Sequence, residues 1–170
     1  AATFEMLPLS GSYREYARLG SGPVSAIGAS NSDIQENTAF LSFSRDFRKS
    51  GIPVPEIYGY SDDLTTYLQE DLGSVTLFDF LSKIRLSEGF SRTIIEEYKK
   101  VLTVLPAIQV TAGKNLDYSV CYPRGEFDKQ SMMWDLNYFK YYFLKLARIA
   151  FNEQQLEDDF QKYADYLLSA

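Results

Sequence analysis

Four stretches of this chain carry groups suited to a charged ligand. Ser10-Gly11-Ser12 is a short tip rich in N–H and O–H donors, able to wrap phosphate oxygens with backbone amides; with one glycine, it also reads as a plain hairpin turn. Arg14 follows it, either a cation placed just past that loop or an exposed strand arginine. Glu36 falls in the first turn of a helix, where favourable interaction with the helix dipole would alone account for it. Glu70 and Asp71 end the β-branched and aromatic run Thr65–Gln69, and Gly73 lets the backbone turn. The stretch 67–73 is also where the chain changes from short β-like runs to helices, the form of a hinge. Crevices at such junctions commonly bind small molecules; the competing reading is a strand-to-helix corner with two solvated acids.

What is missing narrows the chemistry further. The 170 residues include no histidine, which removes the usual general base, the Ser-His and Cys-His nucleophile pairs and the commonest zinc ligand. Any reaction must run on carboxylates, hydroxyls, Lys and Arg, or on residues outside this chain. The single cysteine, Cys121, cannot form an internal disulfide and fits a reducing compartment, so a cytoplasmic location is expected. It reads as a small hydrophobe rather than a catalytic thiol. A net charge of −6 argues against nucleic acid or an anionic membrane as main partner. No apolar run is long enough to span a bilayer, and the start has no signal-peptide pattern. With 45% apolar residues, the chain can bury a real core.

The elements that must position these groups follow from pattern. Leu7 to Leu19 reads as strand, turn, strand; Gly20-Ser21-Gly22-Pro23 is a turn; Val24–Ala29 is a third strand. A helix starts near Asn31-Ser32-Asp33, with Ser32 and Gln35 spaced as a capping box, and ends at Ser50-Gly51. Ile34, Phe40, Leu41, Phe43 and Phe47 are its expected core face. A proline-punctuated connection leads to a fourth strand at Ile57–Tyr60, and the hinge strand closes the set. The fold class is therefore α+β: an antiparallel sheet of about five strands with one helix over 1–73, then helices over 74–170. In the helical part, Pro106 should kink or break a long helix. Met132, Leu136, Phe139, Phe143 and Leu146 are expected in the core, and so are most of the aromatic residues of 118–143. The last helix starts at Asn152, with Leu156, Phe160, Tyr163 and Leu167 buried.

Four motifs stand in this order: Ser-Gly-Ser-Tyr-Arg-Glu-Tyr at 10–16, Gln-Glu-Asn-x-x-Phe-Leu at 35–41, Gly-Ile-Pro-Val-Pro-Glu-Ile at 51–57 and Tyr-Leu-Gln-Glu-Asp-Leu-Gly at 67–73. Together they resemble the small lobe of the protein-kinase-like fold in the bacterial aminoglycoside phosphotransferase and choline kinase superfamily. The chain looks most like its sugar-kinase members, similar to the anomeric N-acetylmuramate and N-acetylglucosamine kinases. The resemblance implies ATP with magnesium as cofactor. The loop Ser10, Gly11, Ser12 and Tyr13 would cover the phosphates. The Glu70 carbonyl and the Leu72 N–H would hold adenine, flanked by Ile27 and Leu72 with Gln69 behind. Glu36 would stand where the family's helix glutamate orients a strand lysine. The third strand has no lysine, so Arg14 is expected to supply part of the positive charge. Asp128 and Asp135, with Asn137, would face a polyol or amino-sugar substrate.

The family's catalytic loop, His-x-Asp with a downstream Asn, and its magnesium-binding Asp are not found here. The resemblance therefore implies the amino-terminal part of a longer phosphotransferase acting on a sugar, amino sugar or amino alcohol, inactive alone. Faces left uncovered by a missing large lobe are expected to promote dimerisation. Some relatives are fused to, or neighbours of, sugar-phosphate nucleotidyltransferases. This keeps a second expectation open: a non-catalytic kinase-like module serving such a system. A third is an unrelated α+β interaction domain matching by chance.

Overall fold

The computed structural model describes residues 2–8 and 11–169. The chain forms two compact units, Ala1–Pro123 and Arg124–Ala170, each taken separately below.

The first unit is built on a five-stranded antiparallel sheet: β1 (Ala2–Met6), β2 (Glu15–Ser21), β3 (Val24–Ser30), β4 (Ile57–Tyr60) and β5 (Thr66–Glu70), in spatial order β1-β2-β3-β5-β4. The α+β class and the strand count thus agree with the sequence pattern. The first strand lies earlier than expected. Leu7 already leaves the ladder, although its N–H still donates to the Tyr16 carbonyl at 2.8 Å. β2 and β3 are joined by Gly22-Pro23, with Gly22 at φ 61°, a backbone state that glycine adopts without steric cost.

Helix α1 (Ile34–Lys49) crosses one face of the sheet. Its cap is Asp33, one residue later than the Ser32 expected, because the Asp33 carboxylate accepts from both the Gln35 and Glu36 amides. Tyr16, Ala29 and Tyr67, neighbours across three strands, meet Leu41 and Phe40 of this helix and form the core. Ile34, expected inside, is half exposed at the helix start. On the opposite face the period-two alternation places Met6, Ala17, Gly28, Leu68 and Gly59 in one row. The two glycines floor an open groove of about 560 Å³ walled by Phe4, Leu19 and Tyr60.

After the sheet come α2 (Leu77–Glu88) and α3 (Arg92–Pro106). Thr76 and Asp79 close a reciprocal capping box on α2. Thr76→Ala is expected to destabilise α2 by about 1 kcal/mol, seen as faster amide exchange across that helix only. The α-helical hydrogen bonding ends at Pro106, and the chain continues as wider and tighter turns over Ala107–Asn115. At this proline the hydrogen-bond pattern changes while the backbone stays in the helical region as far as Ala112, short of the full break.

The second unit pairs α4 (Lys129–Phe139) with α5 (Glu153–Leu168). Asn152 caps α5 as expected, accepting from the Gln155 N–H at 2.9 Å. Met132 and Phe160 are buried, but Phe139, Phe143, Leu146, Tyr163 and Leu167 are substantially exposed, against expectation. There are two reasons. A π-turn at Lys140–Leu144 breaks the spacing of three and four that would keep one face inward, and two helices can cover only one face of each other. No helix among the described residues is long and apolar enough to cross a membrane.

Candidate functional site

Arg14 enters β2 with its side chain on the α1 face of the sheet. It is 8% exposed, and its guanidinium is enclosed by polar and aromatic groups. Nη2 lies 2.9 Å from Glu36 Oε1 and donates to Asn37 Oδ1 at 3.3 Å. The guanidinium carbon stands 5.2 Å from the Phe40 ring centre and 5.8 Å from that of Tyr67. Glu36 thus takes its cation from the residue just before β2, and β3 carries no lysine. Its second oxygen accepts from Asn31 Nδ2 at 2.9 Å, which fixes the carboxylate in both directions.

Asn37 anchors this arrangement from below and is 0% exposed. Its Nδ2 donates to the Asn31 carbonyl at 2.8 Å and to the Leu64 carbonyl at 2.7 Å. Burial, with Tyr16 beside it, pushes the Tyr67 phenol well above its ordinary value, so this hydroxyl stays neutral. Three buried polar atoms on this face lack a partner among the described residues: Arg14 Nε, Tyr67 Oη and Gln69 Oε1. Buried polar groups in native proteins are nearly always satisfied, so such a cluster marks a place where something else is expected to bond.

β5 lies beside these groups. Ile27 is buried on β3 and sits opposite Gln69 on β5, with Arg18 of β2 on its other side. The Glu70 N–H donates to the Glu56 carbonyl at 2.8 Å, and the Glu70 carboxylate accepts from the Glu56 N–H at 3.1 Å. Leu72 is 68% exposed, and its N–H donates to no acceptor among the described residues.

Asp71 is held by Arg18: Nε donates to Oδ2 at 2.7 Å and Nη2 to Oδ1 at 3.2 Å. Arg18, with the Gly73 N–H next in importance, pulls the Asp71 carboxyl down to about 2. An ordinary aspartate titrates near about 3.9. A depressed folded-state value contributes stability that is complete above the unfolded value and is lost as pH falls through the folded one. The first unit should therefore lose stability between about pH 4 and pH 2, and the Asp71→Asn variant should lack that part of the slope. Urea midpoints at pH 5 and in the acid limb check this.

The remaining expected site residues divide by location. Ser10 lies outside the described residues. Gly11, Ser12 and Tyr13 form a bend leading into β2. The Ser12 hydroxyl accepts from the Arg14 N–H at 3.1 Å, and Tyr13 is fully exposed. Asp128 and Asp135 belong to the second unit. Asp128 caps α4: Oδ1 accepts from the Ser131 N–H and hydroxyl, and Oδ2 pairs with Arg124. Arg124 also stacks 5.2 Å from the Trp134 ring centre. Asp135 lines an open cavity with Tyr138, Phe139, Tyr142 and Phe143, where Tyr138 stacks on Tyr142 at 4.3 Å. These rings are exposed rather than core. Cys121 is a partly buried free thiol.

Compared with known proteins, the chain matches no family model, no curated protein and no solved structure. The geometry must carry the reading alone.

Asn31 and Asn37 are site residues that the sequence pattern did not single out, and the pairing of Arg18 with Asp71 was not foreseen in it. One signal was present: Asn37 is a poor helix former placed inside a helix, which calls for a reason beyond propensity.

Proposed function

We propose that the chain is the ATP-binding amino-terminal part of a small-molecule phosphotransferase, one that moves the ATP γ-phosphoryl group to a hydroxyl of a sugar, amino sugar or amino alcohol. The observation that carries the reading is the Arg14–Glu36 ion pair, on the same sheet face as Ile27 and Gln69. A buried, oriented cation at the mouth of a donor-rich turn suits the charge of a triphosphate. On this reading the Leu72 N–H and the Glu70 carbonyl hold the base. Ile27 lies against the base, and the 10–13 turn covers the phosphates. Magnesium would come with the triphosphate and be held by its oxygens and by residues of a large lobe; among the described residues no three His, Cys, Asp or Glu side chains are placed to hold a metal ion. The catalytic base would likewise lie outside this chain, while Asp128 and Asp135 would face the substrate.

Calorimetric titration of the chain with ATP, with and without magnesium, is the test. One saturable site is the expected result; no heat of binding at millimolar nucleotide rejects the reading. The absence of a lysine on β3 favours a second reading, a kinase-like module that binds without transferring phosphate. Saturable binding that stays non-productive when the chain is joined to its large lobe would select it.

A further inference from the structure

Two arginines at β2 point to the α1 face, Arg14 just before the strand and Arg18 within it, and they are tied to different things: Arg14 to the helix, Arg18 to the hinge. The Arg18 contact is bidentate, the geometry that adds direction to a charged hydrogen bond. Its acceptor, the Asp71 side chain, is only 6% exposed. Asp71 Oδ1 also accepts from the Gly73 N–H at 2.9 Å, and Gly73 sits at φ 91°, where an L side chain would be strained. One carboxylate thus grips both the strand below it and the turn beyond it. Leu72 lies between the two gripped residues. On the other side, Glu70 is fixed by its bonds with Glu56. The segment that presents the Glu70 carbonyl and the Leu72 N–H is therefore held from both ends, and β2, which follows the 11–13 bend, supplies one of the holds.

We propose that Arg18 is a positioning residue for the nucleotide: through Asp71 it sets the Leu72 main chain at the angle that meets the base, and it couples the base-binding hinge to the strand behind the phosphate loop. This inference rests on the nucleotide reading of the site. It differs from a direct role of Arg18 on phosphate, because the Nε and Nη2 donors already face Asp71. Glu5, opposite Arg18 on β1, is a further acid near the same guanidinium.

The experiment compares Arg18→Met, Asp71→Asn and the double variant by calorimetry with ATP and by displacement with adenosine, alongside amide exchange at Leu72 and Gly73. Each single change is expected to weaken adenosine and ATP by the same factor, about tenfold, and to speed exchange at both amides. The double variant should be no worse than either single, since one linkage is lost in all three. Arg18→Lys, which keeps the charge without the fork, should fall between wild type and Arg18→Met. Loss of ATP affinity with adenosine unchanged would overturn the inference, because Arg18 would then touch phosphate. Faster exchange with unchanged affinity for both ligands would overturn it too, leaving a purely structural pair. A wild-type chain that binds neither ligand rejects the nucleotide reading itself, and the inference falls with it.

Discussion

Asn37→Ala is expected to destabilise the first unit by about 3 kcal/mol, the largest stability loss of any single polar truncation in it. Three polar partners lose their bond at once: the Asn31 carbonyl, the Leu64 carbonyl and Arg14 Nη2. The two carbonyl bonds are short, at 2.8 and 2.7 Å, and Asn37 itself is fully buried, so water cannot replace the lost donor cheaply. A buried carbonyl left without a donor costs about 1–3 kcal/mol; the bond to Arg14, at 3.3 Å, adds less. Leu64 raises the stakes. It sits at φ 57°, unusual for a leucine, while its side chain packs against the core and its carbonyl is held by Asn37. Removing the amide frees this strained turn to relax and pull away from the sheet. Asn37→Asp is a sharper control: it keeps an acceptor for Arg14, but it loses both donors and sets a second carboxylate beside Glu36. It should be at least as damaging at neutral pH. Urea unfolding measures both, and a midpoint change equivalent to less than about 0.5 kcal/mol for Asn37→Ala would show that the network is dispensable.

The parts of the structure that were legible in the sequence are those fixed by local chemistry. Gly22-Pro23, the cap at Asn152, the change of hydrogen bonding at Pro106 and the β-branched run ending at Glu70 each follow from backbone preferences of a few neighbouring residues. The α+β class and the five antiparallel strands agree with the pattern, but the spatial order, with β5 between β3 and β4, was not legible in it. What local chemistry does not fix is register between distant segments. Nothing near Glu36 in sequence announces that its cation comes from 22 positions earlier, just before β2; that depends on how α1 lies over the sheet. Arg18 and Asp71 are 53 positions apart and meet only because β2, β3 and β5 are neighbours in that order. The exposed rings of α4 escaped the pattern for another reason. Their spacing is helical, and periodicity alone cannot show which face a partner helix covers.

Arg14→Ala is expected to weaken ATP binding by about 10–100-fold while leaving adenosine affinity nearly unchanged. A hydrogen bond to a charged group is worth about 1.5–3 kcal/mol, which sets that range. The split between the two ligands matters more than the size. Arg14 follows the 11–13 bend and reaches toward α1, away from the Glu70–Leu72 segment tied by Arg18. A phosphate role therefore predicts a loss that scales with the charge on the ligand, ATP over ADP over adenosine. Glu36→Gln leaves the arginine in place but removes the charge that orients it, so a smaller loss of the same kind is expected. Arg14→Lys should not restore affinity fully, because an ammonium cannot serve Glu36 and a phosphate with the fixed fork of a guanidinium. Folding sets the limit of the test: with Arg14 gone, Glu36 and the Asn37 amide oxygen lose a partner, and part of the unit's stability goes with it. Binding is therefore to be measured well below each variant's own melting temperature. If adenosine and ATP then weaken in parallel, Arg14 is a structural tie between strand and helix. The positive charge that a triphosphate needs would have to come from elsewhere in the molecule.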